Sequence, residues 1–238
     1  MKEPGTEKLA SAAQDLAGRY RYLFFDWDGC LADTLPFWLD GYREALGRRG
    51  LHPEDRVILR ELLNDWAGPA RFGVADAARF VEEMADYLES HSASTPFNPH
   101  AVEVLQALKA RGNRTALLTA SRRRLVHPML ATRGVAGLFD LVLTVEDVRR
   151  HKPDPEVLFK ALEMLGAASG QALLVGDSDK DLQAGQAAGV ATALYLPVHN
   201  LRFYDETELR RWHPDYVIRD FRELLARSAA SRPERSSP

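Results

Sequence analysis

Tyr22-Leu23-Phe24-Phe25-Asp26-Trp27-Asp28-Gly29 decides the fold. The four apolar residues at its start are rich in aromatics and too few for a helix, so they read as a short buried strand. The run stops abruptly at Asp26, a second carboxylate follows at Asp28, and Gly29 closes the segment. In open parallel sheets ligands bind at the carboxyl ends of strands, so the chemistry carried by this chain is sought wherever another strand ends.

Downstream of Pro99 helices and strands alternate. A helix over about 100–111 precedes a strand at 114–118, and a helix over about 122–133 precedes a strand at 139–144. A further helix opens at Pro155 with Asp154 placed to cap it. Then come the strand Ala172-Leu173-Leu174-Val175, a helix from about 180, and a strand over 191–196. Residues 215–218 add another strand, followed by a last helix to about 228. This order predicts an α/β fold, a Rossmann-like parallel sheet with helices on both faces. Residues 34–97 have a different texture. Phe80, Met84, Tyr87 and Leu88 recur at helical spacing, as do Leu59, Leu62, Leu63 and Trp66, and no strand interrupts them. An all-helical insert is therefore expected after the first strand, with Trp38, Trp66 and Phe80 in its core. Ser94-Thr95-Pro96-Phe97-Asn98-Pro99 ends it as a loop. The expected division is a core of 20–33 and 98–228, an insert of 34–97, and tails at 1–19 and 229–238.

The 238 residues are 45% hydrophobic and 27% charged, ordinary for a soluble globular protein. A net charge of -3 argues against a nucleic-acid or membrane-surface partner. The densest basic cluster, Arg122-Arg123-Arg124, reads as a solvated helix face. Cys30 is the one cysteine, so no intrachain disulfide forms. The N-terminal stretch lacks the apolar segment of a signal peptide, and no apolar run approaches the ~18 residues of a membrane span. A cytoplasmic location is expected.

The strand ends then supply a set. The first carries Asp26 and Asp28; the strand at 114–118 leads into Thr119-Ala120-Ser121; the strand at 172–175 leads into Gly176-Asp177-Ser178-Asp179-Lys180-Asp181; Lys152 lies in the loop before the Pro155 helix. Carboxylates gathered at one edge repel unless a cation sits among them. Oxygen-only ligands favour a hard ion such as Mg²⁺, which keeps water and substrate phosphate in its shell. A carboxylate can attack phosphorus, Thr119 and the backbone N–H groups near Ala120 can hold phosphate oxygens, and Lys152 can neutralise developing charge. Blander readings exist for the same residues: a turn at Asp26 and Asp28, helix capping at Asp177 and Asp181, a surface role for Lys152, and an N-cap at Ser121. Asp179 reads as solvated, and Arg71 as a loop arginine or a contact for an anionic substrate. The seven histidines show no ligand spacing. An EF-hand fails on position, since Leu31 and Leu182 stand where that loop requires glycine.

Four segments together resemble the haloacid dehalogenase superfamily. Asp26-Trp27-Asp28-Gly29-Cys30-Leu31-Ala32-Asp33-Thr34 is similar to its first motif, Thr119 to the second, Lys152 in Lys-Pro-Asp-Pro-Glu to the third, and Gly176-Asp177-Ser178-Asp179-Lys180-Asp181 to the fourth. They stand in the family order over roughly residues 20–228. The resemblance implies that Asp26 attacks phosphorus and that Asp28 serves as general acid and base. It implies Mg²⁺ held by Asp26, the backbone carbonyl of Asp28, and Asp177, with Asp181 ligating or acting through water. Thr119, Ala120 and Lys152 would bind the phosphoryl group, and the insert would be a helical cap.

The family's dehalogenases lack the second aspartate, so Asp28 favours phosphoryl chemistry. Its phosphonoacetaldehyde hydrolases need a cap lysine, and no lysine occurs between Lys8 and Lys109. The expected activity is a phosphoglycolate-phosphatase-like hydrolysis of a small phosphorylated metabolite. A sugar-phosphate mutase of the β-phosphoglucomutase type and a non-catalytic phospho-aspartate module are the alternatives. Cys30, where the family usually has threonine, places an oxidisable thiol near the site.

Overall fold

In the computed structural model, residues 15–63, 67–91 and 95–225 are described. Strand β1 (Tyr22–Phe25) lies at the centre of a six-stranded sheet with β2 (Arg114–Leu118), β3 (Leu141–Leu143), β4 (Ala172–Gly176), β5 (Ala191–Tyr195) and β6 (Tyr216–Ile218). The spatial order is β3-β2-β1-β4-β5-β6, with every neighbouring pair parallel.

The aromatic run works because both faces of β1 are covered. Leu23 and Phe25 pack on one side with α6 (Ala101–Ala110), α7 (Arg123–Thr132) and α1 (Leu16–Arg19). Tyr22 and Phe24 face the other side, against α8 (Glu156–Leu165) and α9 (Asp179–Ala188). A strand buried on both faces needs no polar alternation. Helix α8 begins at Glu156 with Pro155 as its N-cap, one residue later than expected, and the Asp154 carboxylate accepts from the Glu156 N–H at 3.0 Å.

The insert is helical: α2 (Leu35–Gly47), α3 (Asp55–Leu62), α4 (Gly68–Arg71) and α5 (Ala77–His91). Its own core gathers Leu39, Tyr42, Leu46, Ile58, Leu62, Phe80 and Met84. The two crossings between insert and core run side by side. Asp33 N–H donates to the Pro96 carbonyl and Asn98 N–H to the Leu31 carbonyl, both at 2.9 Å. Among the described residues no helix is long and apolar enough to cross a membrane.

Several boundaries differ from expectation. Leu16 and Ala17, expected in a tail, are buried in the main core, and Asp15 caps their helix by accepting from Gly18 N–H. The strand expected at 139–144 is only Leu141–Leu143, because Asp140 turns its carboxylate to the Thr115 N–H and Thr144 opens a short 3₁₀ turn. Of the last helix, expected to about 228, the described residues show one 3₁₀ turn, Phe221–Leu224. Residues at i and i+3 eclipse in that geometry, so Phe221 and Leu224 both reach the core within one turn. Trp66, residues 1–14 of the first expected tail, and residues 226–238 lie outside the described residues.

Leu16→Ala tests whether α1 belongs to the core. Removing this buried side chain is expected to cost about 2–4 kcal/mol, read as a lowered urea midpoint. An unchanged midpoint would show that α1 is dispensable.

Candidate active site

The order of the strands reverses between β1 and β4, and that is where an open α/β sheet leaves a crevice for ligand. Phe25 pairs with Val175, so Asp26 emerges beside Gly176 and Asp177. The first turn of α9 adds Asp181, held by Ser178, whose hydroxyl donates to Asp181 Oδ2 at 2.6 Å. One carboxylate oxygen from each of Asp26, Asp177 and Asp181 lies within 4.8 Å of the others, and all three residues are buried.

Lys152 completes the cluster from the loop before α8. Its ammonium donates to Asp26 Oδ1 at 2.6 Å, to Asp181 Oδ1 at 2.6 Å and to the Leu118 carbonyl at 3.1 Å. An ammonium has three donors, and all three are engaged. Two glycines make the close approach possible. A β-carbon on Gly29, which has a φ of +71°, would stand 2.0 Å from Asp177 Oδ2; one on Gly176 would stand 2.3 Å from Asp181 Cγ. No side chain fits at either position without displacing a carboxylate.

Burial dominates the electrostatics. It pushes Asp26 up to about 7 against the opposing pull of Lys152, with Asp181 and Asp28 adding to the rise. Burial also lifts Asp177 well above the usual carboxylate range, and the charges of Asp26 and Asp181 lift it further. For Lys152 burial acts downward, but Asp181 and Asp26 outweigh it and hold the ammonium above its ordinary value. Asp177 Oδ2 accepts the Tyr204 hydroxyl at 2.8 Å, whereas no donor reaches the buried Asp177 Oδ1. An orphaned carboxylate oxygen inside a cluster of acids fits a hard divalent cation.

Asp28 stands apart from that cluster. Both its oxygens are taken: the Trp38 indole donates to Oδ1 at 2.8 Å, and the Ser121 hydroxyl donates to Oδ2 at 2.5 Å. Any part of Asp28 in holding metal therefore falls to its backbone carbonyl rather than its carboxylate. Thr119 is buried at the end of β2, and its Oγ1 accepts from the Ser121 N–H at 2.9 Å. That leaves the Thr119 hydroxyl proton to donate, and Ala120 lies on the wall of the adjoining cavity.

Other expectations are corrected. Ser121 is not the N-cap of α7, a place taken by Arg122; it holds Asp28. Trp38 is half-buried and does more than fill the insert's core. Arg122 and Arg124 are not merely a solvated face, because they pair across to Glu82, Asp86 and Glu89 on α5. Arg71 pairs with Glu61 at 2.8 Å. Asp179 is half-buried and outside the acidic cluster. The Cys30 thiol is fully buried, points at the Val175 carbonyl and is pushed well above its usual range by burial, which disfavours its reactive thiolate.

Sequence reasoning missed Tyr204 and the amides under Gly29. Asn98 Nδ2 donates to the Cys30 carbonyl at 2.6 Å and Asn200 Nδ2 to the Gly29 carbonyl at 2.9 Å. These pin the turn after β1 from loops distant in sequence, where no spacing announces them.

A carboxylic acid whose folded-state value is raised binds its proton in the folded chain over a range where the unfolded chain has released it. Without metal, stability due to Asp26 is therefore present at low pH and is lost as pH rises from about 4 through about 7. Cations bind the deprotonated cluster, so the gain in Tm on adding Mg²⁺ is expected to be larger at about pH 8 than at about pH 5. An equal gain at both would contradict the buried cluster as the binding site. Tyr204→Phe removes one donor from Asp177 and is expected to weaken cation binding by about tenfold in calorimetry.

Comparisons with known proteins agree with this geometry. The family model for haloacid dehalogenase-like hydrolase matches residues 23–195. A pyrophosphatase PpaX from Oceanobacillus iheyensis is 27% identical over 212 residues, covering 86% of this chain and 95% of that protein. A phosphoglycolate phosphatase from Aquifex aeolicus is 30% identical over 193 residues, covering 74% of this chain and 84% of that protein. The crystal structure of a haloacid dehalogenase-like hydrolase from Bacteroides fragilis superposes with a TM-score of 0.76 at 26% identity, covering 87% of this chain and 100% of that one. With its family match spanning both the first strand and the acidic loop after β4, the chain belongs to the haloacid dehalogenase-like hydrolase family.

Proposed function

We propose that this phosphatase hydrolyses a small phosphomonoester through an aspartyl-phosphate on Asp26, with Asp28 as general acid and base and Mg²⁺ as its metal. The observation that carries the reading is Asp26 itself: a buried carboxylate at the switch point, one oxygen held by Lys152, inside a cluster where Asp177 Oδ1 has no donor among the described residues.

Lys152 fixes Asp26 Oδ1, which leaves Oδ2 to attack phosphorus. The new bond joins Asp26 to phosphorus, the ester P–O bond breaks, and the leaving oxygen takes a proton from Asp28. Asp28 then takes a proton from water as that water attacks phosphorus; the bond to Asp26 breaks and inorganic phosphate is released. The indole of Trp38 can only donate, whereas a hydroxyl can donate or accept. The proton that Asp28 carries is therefore placed on Oδ2, with Ser121 reversing its hydrogen bond. Thr119 and the N–H groups beside Ala120 bind the phosphoryl oxygens, and Lys152 joins them by exchanging one of its bonds to Asp26, Asp181 and the Leu118 carbonyl. Asp26, Asp177 and the Asp28 carbonyl would hold Mg²⁺, with Asp181 directly or through water; the ion supplies charge neutralisation for the phosphoryl group. The insert at 34–97 acts as the cap that excludes water from the first half-reaction.

A screen of phosphate esters with and without Mg²⁺ tests this. Asp26→Asn is expected to abolish phosphate release while the chain keeps its far-UV circular dichroism and cooperative unfolding. Near-normal turnover in Asp26→Asn would overturn the mechanism, and isomer formation without phosphate release would assign a mutase. Asp28→Asn is expected to slow turnover by about 10²–10⁴.

A further inference from the structure

We infer that the leaving group this enzyme accepts is an uncharged, apolar or aromatic alcohol, an inference that rests on the phosphatase reading above. The cavity beside Asp28 and Ser121 is roofed by the insert. Asp28, Ser121 and Arg122 stand at one side of it, and the rest of its wall includes Trp38, Tyr42, Leu62, Phe80, Met84 and Leu125. Asp28 delivers a proton to the leaving oxygen and itself lines this cavity, which gives the rest of the alcohol a place beside the acid.

Away from Asp28, Ser121 and Arg122 the wall is apolar in fact and not only by residue type. Trp38 and Tyr42 carry polar tips, but both are engaged within the protein. The Trp38 indole N–H goes to Asp28, and the Tyr42 hydroxyl donates to the Leu62 carbonyl at 3.0 Å. What they offer the cavity is ring surface. Trp38 and Tyr42 have ring centroids 5.6 Å apart, and Tyr42 and Phe80 stack with centroids 6.3 Å apart and an interplanar angle of 11°. This aromatic array suits a flat or branched apolar group.

The cavity also lacks what an anionic leaving group needs. Arg122 is the one cation among the described residues of its wall, and its guanidinium is engaged with Glu82 at 2.6 Å. Elsewhere on the insert Arg49 and Arg79 both pair with Glu83. The stretches 64–66 (Asn-Asp-Trp) and 92–94 (Ser-Ala-Ser) add no basic residue. A carboxylate or second phosphate placed against these rings would lose its hydration without gaining a partner, which is costly. Relatives named for pyrophosphate and phosphoglycolate act on esters and anhydrides whose leaving groups are charged. The wall of this cavity points away from both.

The experiment compares kcat/KM of the full chain with Mg²⁺ on four substrates: benzyl phosphate, glycerol phosphate, phosphoglycolate and pyrophosphate. Benzyl and glycolate esters both leave as alkoxides, so the comparison reads the pocket rather than a difference between phenol and alcohol. Benzyl phosphate is expected to exceed phosphoglycolate and glycerol phosphate by about tenfold or more. Phosphoglycolate or pyrophosphate turned over as well as benzyl phosphate would overturn the inference and leave the phosphatase reading standing. Phosphate release from none of the four would remove that reading and the inference with it. Val81, half-buried on α5 and also on the cavity wall, gives a second test. Val81→Lys is expected to raise kcat/KM for phosphoglycolate relative to benzyl phosphate, and an unchanged ratio in a folded variant would count against the apolar wall.

Discussion

Three carboxylates share one buried corner with a single ammonium, and much of the rest of the molecule answers to that fact. If Asp26, Asp177 and Asp181 are all ionised, Lys152 balances one of three charges and two negative charges remain. Moving one uncompensated ion out of water costs several kcal/mol, so the corner exists only because β1 and β4 force it into being. Their register sets Asp26 against Gly176, and glycine is what leaves room for Asp181 below. Gly29 does the same for Asp177. The site's charge state and its backbone conformation are thus one problem, and a divalent cation answers the charge half of it.

The surrounding structure divides the remaining work. The sheet supplies rigidity, with both faces of β1 sealed by helices and only its carboxyl end left open. The insert supplies environment. It is tied to the core by paired crossings at 31–33 and 96–98, by Trp38 on Asp28, and by ion pairs from Arg122 and Arg124 to α5. Such exposed pairs contribute little energy each and weaken with salt. They orient the insert over the crevice more than they stabilise the fold.

The core of the site was legible because its chemistry sits at strand ends. Asp26, Thr119, Asp177 and Lys152 each follow a recognisable run or precede a helix, and local pattern alone places them on one edge. The alternation of helix and strand gave the parallel sheet for the same reason. What escaped was everything held by contacts between distant loops. Tyr204 reaches Asp177, and Asn98 and Asn200 reach the turn at Gly29, from segments with no periodicity to read. A tryptophan in an apolar helical insert reads as core, and the partner of the Trp38 indole N–H has no signature in the sequence. Phe221 and Leu224 lie three apart, a spacing that fits a helix and a 3₁₀ turn equally, so the 3₁₀ turn was invisible too.

Trp38 stands on the first helix of the insert, whereas Asp28 stands on the core. In the proposed mechanism nucleophile and proton donor therefore answer to different parts of the molecule. Asp26 is set by the core alone, and Asp28 by core and insert together. A phosphate ester too bulky for the insert to keep the bond from Trp38 to Asp28 would meet a nucleophile without a matched acid, and its alkoxide would have no proton to leave with. Discrimination by size then adds to the discrimination by charge that the apolar wall supplies. It follows from making the acid's aim a property of the lid, so that fidelity is built into the same hydrogen bond that prepares the reaction.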